Sequence, residues 1–160
     1  MKLDRIMVAL DGSVLAEAAL SNALDLAEKN GATLSLLRAA EIHARPGTDK
    51  IEAQVTAIRE AEEYLGAVVR RLADRGFRRA ETHVWYGPPA AAIVEAAAAQ
   101  KVDLIVMSTH GRSGLGRLIL GSVTESVLRG TATPILIVRA DSAPLEAPRG
   151  AELARRAAHV

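Results

Sequence analysis

Short apolar runs alternate along this chain with longer segments in which apolar residues recur every three or four positions. Residues 5–10 (RIMVAL) stand between Asp4 and Asp11-Gly12 and predict a buried strand. Residues 14–29 place Leu15, Ala18, Ala19, Leu26 and Ala27 near one face, a helix that stops at Asn30-Gly31. Residues 32–39 predict a second strand, and the polar stretch 40–50, with Pro46-Gly47, a loop. The clearest helical period follows. Ile51, Val55, Ile58, Leu65, Val68 and Leu72 form one stripe, expected to face the core, that runs until Gly76. Residues 81–86 predict a third strand of mixed character, Pro88-Pro89 opens an alanine-rich helix, and residues 103–108 predict a fourth, almost wholly apolar strand. A glycine-punctuated loop, a helix over about 122–129 and a last strand over 134–139 complete the pattern.

Five strands read as apolar on both faces and separated by helices imply a parallel sheet in a three-layer α/β sandwich with right-handed crossovers. Residues 1–140 are expected to form one domain. Residues 140–150 carry Pro144, Pro148 and Gly150 and read as a linker, and 151–158 as a short helix or a disordered tail. With one Phe, two Tyr and one Trp, core volume must come from Leu, Val and Ile packed through alanine-rich helix faces. Stacking of bases on aromatic rings is excluded as a binding mode. A net charge of +1 is too small to coat nucleic acid. The chain has no cysteine, which removes disulfides, thiolate metal sites and thiol nucleophiles. No apolar run approaches a membrane span, and the turn at Asp11-Gly12 comes too early for a signal peptide, so a cytoplasmic, soluble protein is expected.

In an open parallel sheet, ligands bind beyond the carboxyl ends of strands where the strand order reverses. The informative residues therefore follow strands one and four. Asp11 and Ser13 can meet a ligand, or simply end a strand and cap a helix, and residue type alone favours the cap. After strand four, Ser108, Gly111, Gly114, Gly116 and Gly121 bring backbone amides within reach of an anion, and Arg112 and Arg117 can add charge. Ser122 followed by Glu125 has the spacing of a capping box, which marks a helix N-terminus suited to phosphate. The same pairing would place a carboxylate near that phosphate. Neither the Walker pattern nor GxGxxG is present.

The stretch DLIVMSTHGRSGLGRLILGSVTESVLRGTATPILIV, together with RIMVALDGS, resembles the universal stress protein domain over about residues 3–139. The resemblance implies a Rossmann-like fold of the adenine nucleotide alpha hydrolase type, with strand order 3-2-1-4-5. Family members that bind ATP carry Gly-x2-Gly-x9-Gly-Ser/Thr. Here the frame reads Ser108, Gly111, Gly121, Ser122, so serine replaces the first glycine. By resemblance, amides near Gly111, Gly121, Ser122 and Val123 hold the phosphates, Asp11 and Ala9 line the adenosine pocket, and Ala39 faces the adenine. Mg2+ would travel with the phosphates rather than occupy a protein cage.

The other candidates are weaker. His110 has no visible catalytic partner, and His43, His83 and His159 lack ligand spacing. Arg70, Arg71, Arg75, Arg78 and Arg79 read as a solvated helix end, with a docking patch for an acidic partner as the alternative. Trp85 and Tyr86 are expected to fill gaps in the core or an interface. The strand at 134–139 is an apolar edge, and the family commonly pairs this strand across a two-fold axis, so a homodimer is expected. The resulting expectation is an ATP-binding stress regulator whose occupancy tunes dimer contacts or an unknown partner, with slow hydrolysis at most. The alternative is an interaction module of the same fold that does not bind nucleotide, with Ser108 as the lesion.

Overall fold

The computed structural model describes residues 2–41, 47, 49–109 and 121–139. Five strands and four helices follow one another as β1 (Arg5–Ala9), α1 (Val14–Asn30), β2 (Thr33–Ala40), α2 (Lys50–Asp74), β3 (Ala80–Tyr86), α3 (Pro89–Ala99), β4 (Leu104–Thr109), α4 (Ser122–Gly130) and β5 (Ile135–Arg139). The expected elements are all present, with ends moved by a residue or two. Gly111, Arg112, Arg117, His110, His43 and the tail 141–160 lie outside the described residues.

Local chemistry fixes the helix ends. The Ser13 side chain accepts the Ala16 amide at 3.1 Å and starts α1, while Gly31 ends it at φ 69°, a conformation that suits glycine. Asp49 caps α2 by accepting the Ile51 amide at 2.8 Å, and Pro89 occupies the first turn of α3.

The strands form one parallel sheet in the order β3-β2-β1-β4-β5. Side chains alternate between its faces. Ile6 and Val8, Leu34 and Leu36, Leu104 and Val106 meet α1 and α2 on one side. Met7, Leu37, Ile105 and Met107 meet α3 and α4 on the other. The register Ile6↔Leu104, Met7↔Ile105, Val8↔Val106 keeps each set in line across the centre of the sheet.

The face of α1 against the sheet is made of Ala16, Ala19, Ala23 and Ala27. Leu15, Ala18 and Leu26 are only half-buried, so the expected face is rotated. Alanine lets the helix axis approach the sheet closely, and Leu20 and Leu24 pack at its flank. The expectation that every strand is buried on both faces fails at the edges. Glu81, Thr82 and Tyr86 of β3 are exposed, and β5 is half-buried throughout, because an edge strand has a neighbour on only one side. Tyr86 therefore fills no core gap, whereas Trp85 packs against the second core and points its ring nitrogen at Glu95. In α2 the stripe is buried only at Leu65, Val68 and Leu72, joined by Ala61, and Ile51 and Val55 are exposed. Among the described residues no helix is long and apolar enough to cross a membrane.

Glu17 of α1 ties the two helices on this face together. Its Oε1 accepts the Tyr64 hydroxyl at 2.9 Å and an Arg71 guanidinium N–H at 2.8 Å. Burial pushes its carboxyl up, but the two hydrogen bonds and the Arg71 charge outweigh it, and the net shift is downward from 4.5. A depressed folded-state pKa gives stability that is fully present above the ordinary value and is lost as pH falls through the lower one. Glu17→Gln is expected to lower the melting temperature at about pH 7, with the gap to the parent narrowing as pH falls through the carboxylate range. A constant gap across that range in thermal melts would show that the carboxylate charge contributes nothing.

Candidate functional site

The sheet order reverses between β1 and β4, and a cleft of about 530 Å³ opens there at the carboxyl ends of the strands. Its walls come from the ends of β1, β2 and β4 and from α1, α3 and α4, with Ala16 the contribution of α1. The end of β1 gives Ala9, Leu10 and Asp11; β2 gives Leu37, Arg38, Ala39 and the following Glu41. Pro89 and Ile93 of α3 and Met107 and Ser108 of β4 add a largely apolar floor. Gly121 and the first residues of α4, Ser122, Val123 and Thr124, close the far side.

Asp11 sits at the cleft mouth, and its Oδ1 accepts the Ser13 amide at 2.8 Å. Ser13, not Asp11, caps α1, so the two residues divide the roles between which residue type could not decide. Gly12 between them has φ 87°, and a Cβ there would lie 3.4 Å from the Arg38 guanidinium. That guanidinium stacks on Tyr64, 5.0 Å from the ring centroid, and donates to the Glu60 carbonyl at 3.4 Å. The β1 turn and the β2 wall are thus packed against each other.

The Ser122–Glu125 capping box does not form. Gly121 is the N-cap, with φ −54° and ψ 150°, and no side chain caps the helix. Placing glycine at the cap moves Ser122 into the first helical position and Glu125 one residue too far to reach back. The Glu125 amide bonds the Gly121 carbonyl at 3.0 Å, and its carboxylate takes Arg129 one turn on. The amides of Ser122, Val123 and Thr124 precede any possible i−4 acceptor within the helix. Glu125 stays in the first turn of α4, but its charge is offset by Arg129.

The sequence profile of the universal stress protein family matches residues 2–139. The chain belongs to the universal stress protein family. A curated relative of the same family name from Staphylococcus haemolyticus is 33% identical over 142 residues, which span 87% of this chain and 86% of the relative. The solved universal stress protein UspA of Lactobacillus plantarum superposes with a TM-score of 0.74 at 24% identity, covering 87% of this chain and 99% of its own. A universal stress protein solved in complex with cAMP gives a TM-score of 0.65 at 26% identity, covering 88% and 100%.

In this universal stress protein, Ala9, Asp11, Ala39, Ser108, Gly121, Ser122 and Val123 all line the one cleft. Gly111 and Arg112, singled out with them, lie outside the described residues. Sequence reasoning missed Arg38, Glu41 and Thr124. Arg38 is hidden inside an apolar strand pattern, and Glu41 opens a stretch that reads only as loop. Thr124 is the one with a readable signal, since it follows Ser122-Val123 in the same first helical turn. Ser108 and Thr124 are 6% and 4% exposed, and neither hydroxyl has a hydrogen-bond partner among the described residues. Both residues line the cleft, where a ligand or water can hydrogen-bond these hydroxyls. Among the described residues no group of three His, Asp or Glu side chains could hold a metal ion.

Proposed function

We propose that this universal stress protein binds ATP with Mg2+ in the cleft between β1 and β4. The observation that carries the reading is the meeting, in a single cleft, of Asp11 at one end and the uncapped start of α4 at the other. Free amides at a helix N-terminus favour an anionic group, and the helix dipole adds to them. The apolar stretch of Leu37, Ile93 and Met107 suits a flat base, and Asp11 can accept hydrogen bonds from ribose hydroxyls. A cleft of about 530 Å³ falls in the size range of small-ligand sites. The cAMP complex of a relative supports the adenine class. The bound cation would ride on the phosphates and neutralise them beside Ser122 and Val123.

In this reading the nucleotide is a signal. Occupancy orders the cleft walls and alters contacts made by a homodimer joined through β5, or by a regulatory partner. The half-buried outer edge of β5 is the surface proposed for the dimer. Sedimentation of the pure protein checks that part independently.

Calorimetric titration of nucleotide-stripped protein with Mg-ATP tests the binding reading, with saturation expected in the micromolar range. Silence at millimolar ATP, with no thermal stabilisation, would reject it and leave a protein-interaction module. Ser108→Gly reads the role of the departing serine. The open hydroxyl of Ser108 is expected to donate to the ligand, so its removal weakens binding about fivefold, or ~1 kcal/mol. Tighter binding by the glycine variant would identify Ser108 as an obstruction.

A further inference from the structure

Residues 70–79 hold five arginines and one aspartate, in a chain whose formal net charge is only +1. The rest of the molecule is therefore net acidic, and its positive charge is concentrated in one place. Arg70, Arg71 and Arg75 stand at the carboxyl end of α2, and Arg78 and Arg79 on the approach to β3; all five are exposed. Arg71 is engaged by Glu17. Among the described residues Arg70, Arg75, Arg78 and Arg79 form no ion pair. The helix dipole accounts for cations in the last turn of α2, and Arg79 lies near Gly31 at the carboxyl end of α1, which leaves Arg78 without such an account.

A second feature adjoins this charge. Between α1 and α2 runs a groove of about 180 Å³ lined by Leu20, Leu24 and Leu72, by Ser21 and Arg75, and by the Glu17–Arg71 pair, whose charges offset each other. It shares no lining residue with the cleft between β1 and β4, although the first turn of α1 gives Ala16 to the cleft and Glu17 to the groove.

We propose that this groove and its arginine rim are a docking surface for an acidic segment of a partner protein, one that presents an aliphatic side chain flanked by carboxylates. The apolar floor takes the aliphatic group and removes it from water. Arg75, which lines the groove, meets the carboxylates, for which the planar guanidinium has matching donor geometry. Nucleic acid fits less well. Phosphates gain nothing from a leucine floor, and the single aromatic residue of the stretch, Phe77, is buried and unable to stack on a base. This inference stands whether or not the cleft binds ATP.

Fluorescence anisotropy on the full chain tests it. The probe is a labelled dodecapeptide of repeating Glu-Glu-Leu, beside a peptide of equal charge with serine for leucine and a single-stranded oligonucleotide of equal charge. Saturable binding of the leucine peptide is expected, with a loss of about tenfold in Arg75→Glu and a comparable loss for the serine peptide. Thermal melts of Arg75→Glu confirm that its fold is intact. Equal binding of the two peptides, insensitivity to Arg75→Glu, or no binding at all would overturn the proposal. Tighter binding of the oligonucleotide would overturn it in favour of nucleic acid.

Discussion

Gly121→Val is expected to abolish saturable Mg-ATP binding while leaving the protein folded. The backbone at Gly121 has φ −54° and ψ 150°, which any residue adopts, and a Cβ there meets nothing within 4 Å among the described residues. The fold therefore loses only the difference between glycine and valine at a helix N-cap, about 1 kcal/mol. A ligand at the start of α4 loses much more. A branched side chain at the N-cap takes up space directly beside the amides of Ser122 and Val123, and an anion held by those amides cannot keep its distance. The expected loss of affinity is at least about a hundredfold, or ~2.7 kcal/mol. Calorimetry reads the binding and a thermal melt reads the fold. A variant that folds and still binds would place the ligand away from α4, and the proposed phosphate position would be wrong even if the protein binds ATP.

The second large effect concerns stability and one stripe of residues on α2. Leu65→Ala is expected to cost about 2–5 kcal/mol, because Leu65 is 0% exposed within the core formed by α1, α2 and the sheet. Ile51→Ala, in the same stripe of the same helix, is expected to change stability by no more than about 0.5 kcal/mol, because Ile51 is 72% exposed. The higher helix propensity of alanine even favours that substitution slightly. Denaturant unfolding with matched m-values separates the two. Equal costs at both positions would mean that the outer half of α2 is covered in solution.

The difference has a geometric origin. Twenty-five residues of α-helix run about 37 Å, whereas the seven residues of β3, the outermost strand beneath it, run about 23 Å. The helix outreaches the sheet it packs on by roughly two and a half turns. Its buried positions begin at Ala61; Ile58 before it shares a shallow pocket with Thr82, Val84 and Tyr86 of β3 and is half-buried, and Ile51 and Val55, farther out, are exposed. Periodicity shows which side chains share a face of a helix. It carries no information on how far the neighbouring layer extends.

The candidate site divides in the same way. Asp11, Gly121 and Ser122 were legible because each sits where an apolar run gives way to a turn or a helix start, a change visible within a few residues. Arg38 and Thr124 were not, because their place in the cleft depends on what β1 and β4 bring alongside. The capping pattern at Ser122 and Glu125 was legible and misleading. Which residue becomes the N-cap depends on where the preceding backbone enters the helix, and Gly121 takes that role.

The run of strands and helices, the helix ends at Gly31 and Pro89, and the parallel sheet were legible in the amino-acid sequence alone. These follow from local conformational preference and from the burial that unbroken apolar strands require. Only the tertiary structure decided which half of the α2 stripe is core and which residues cap α1 and α4. It alone brought Arg38, Glu41 and Thr124 to the cleft and set Arg75 beside a leucine-lined groove. Those outcomes depend on contacts between segments distant in the chain, and close packing settles them only when all the layers are in place.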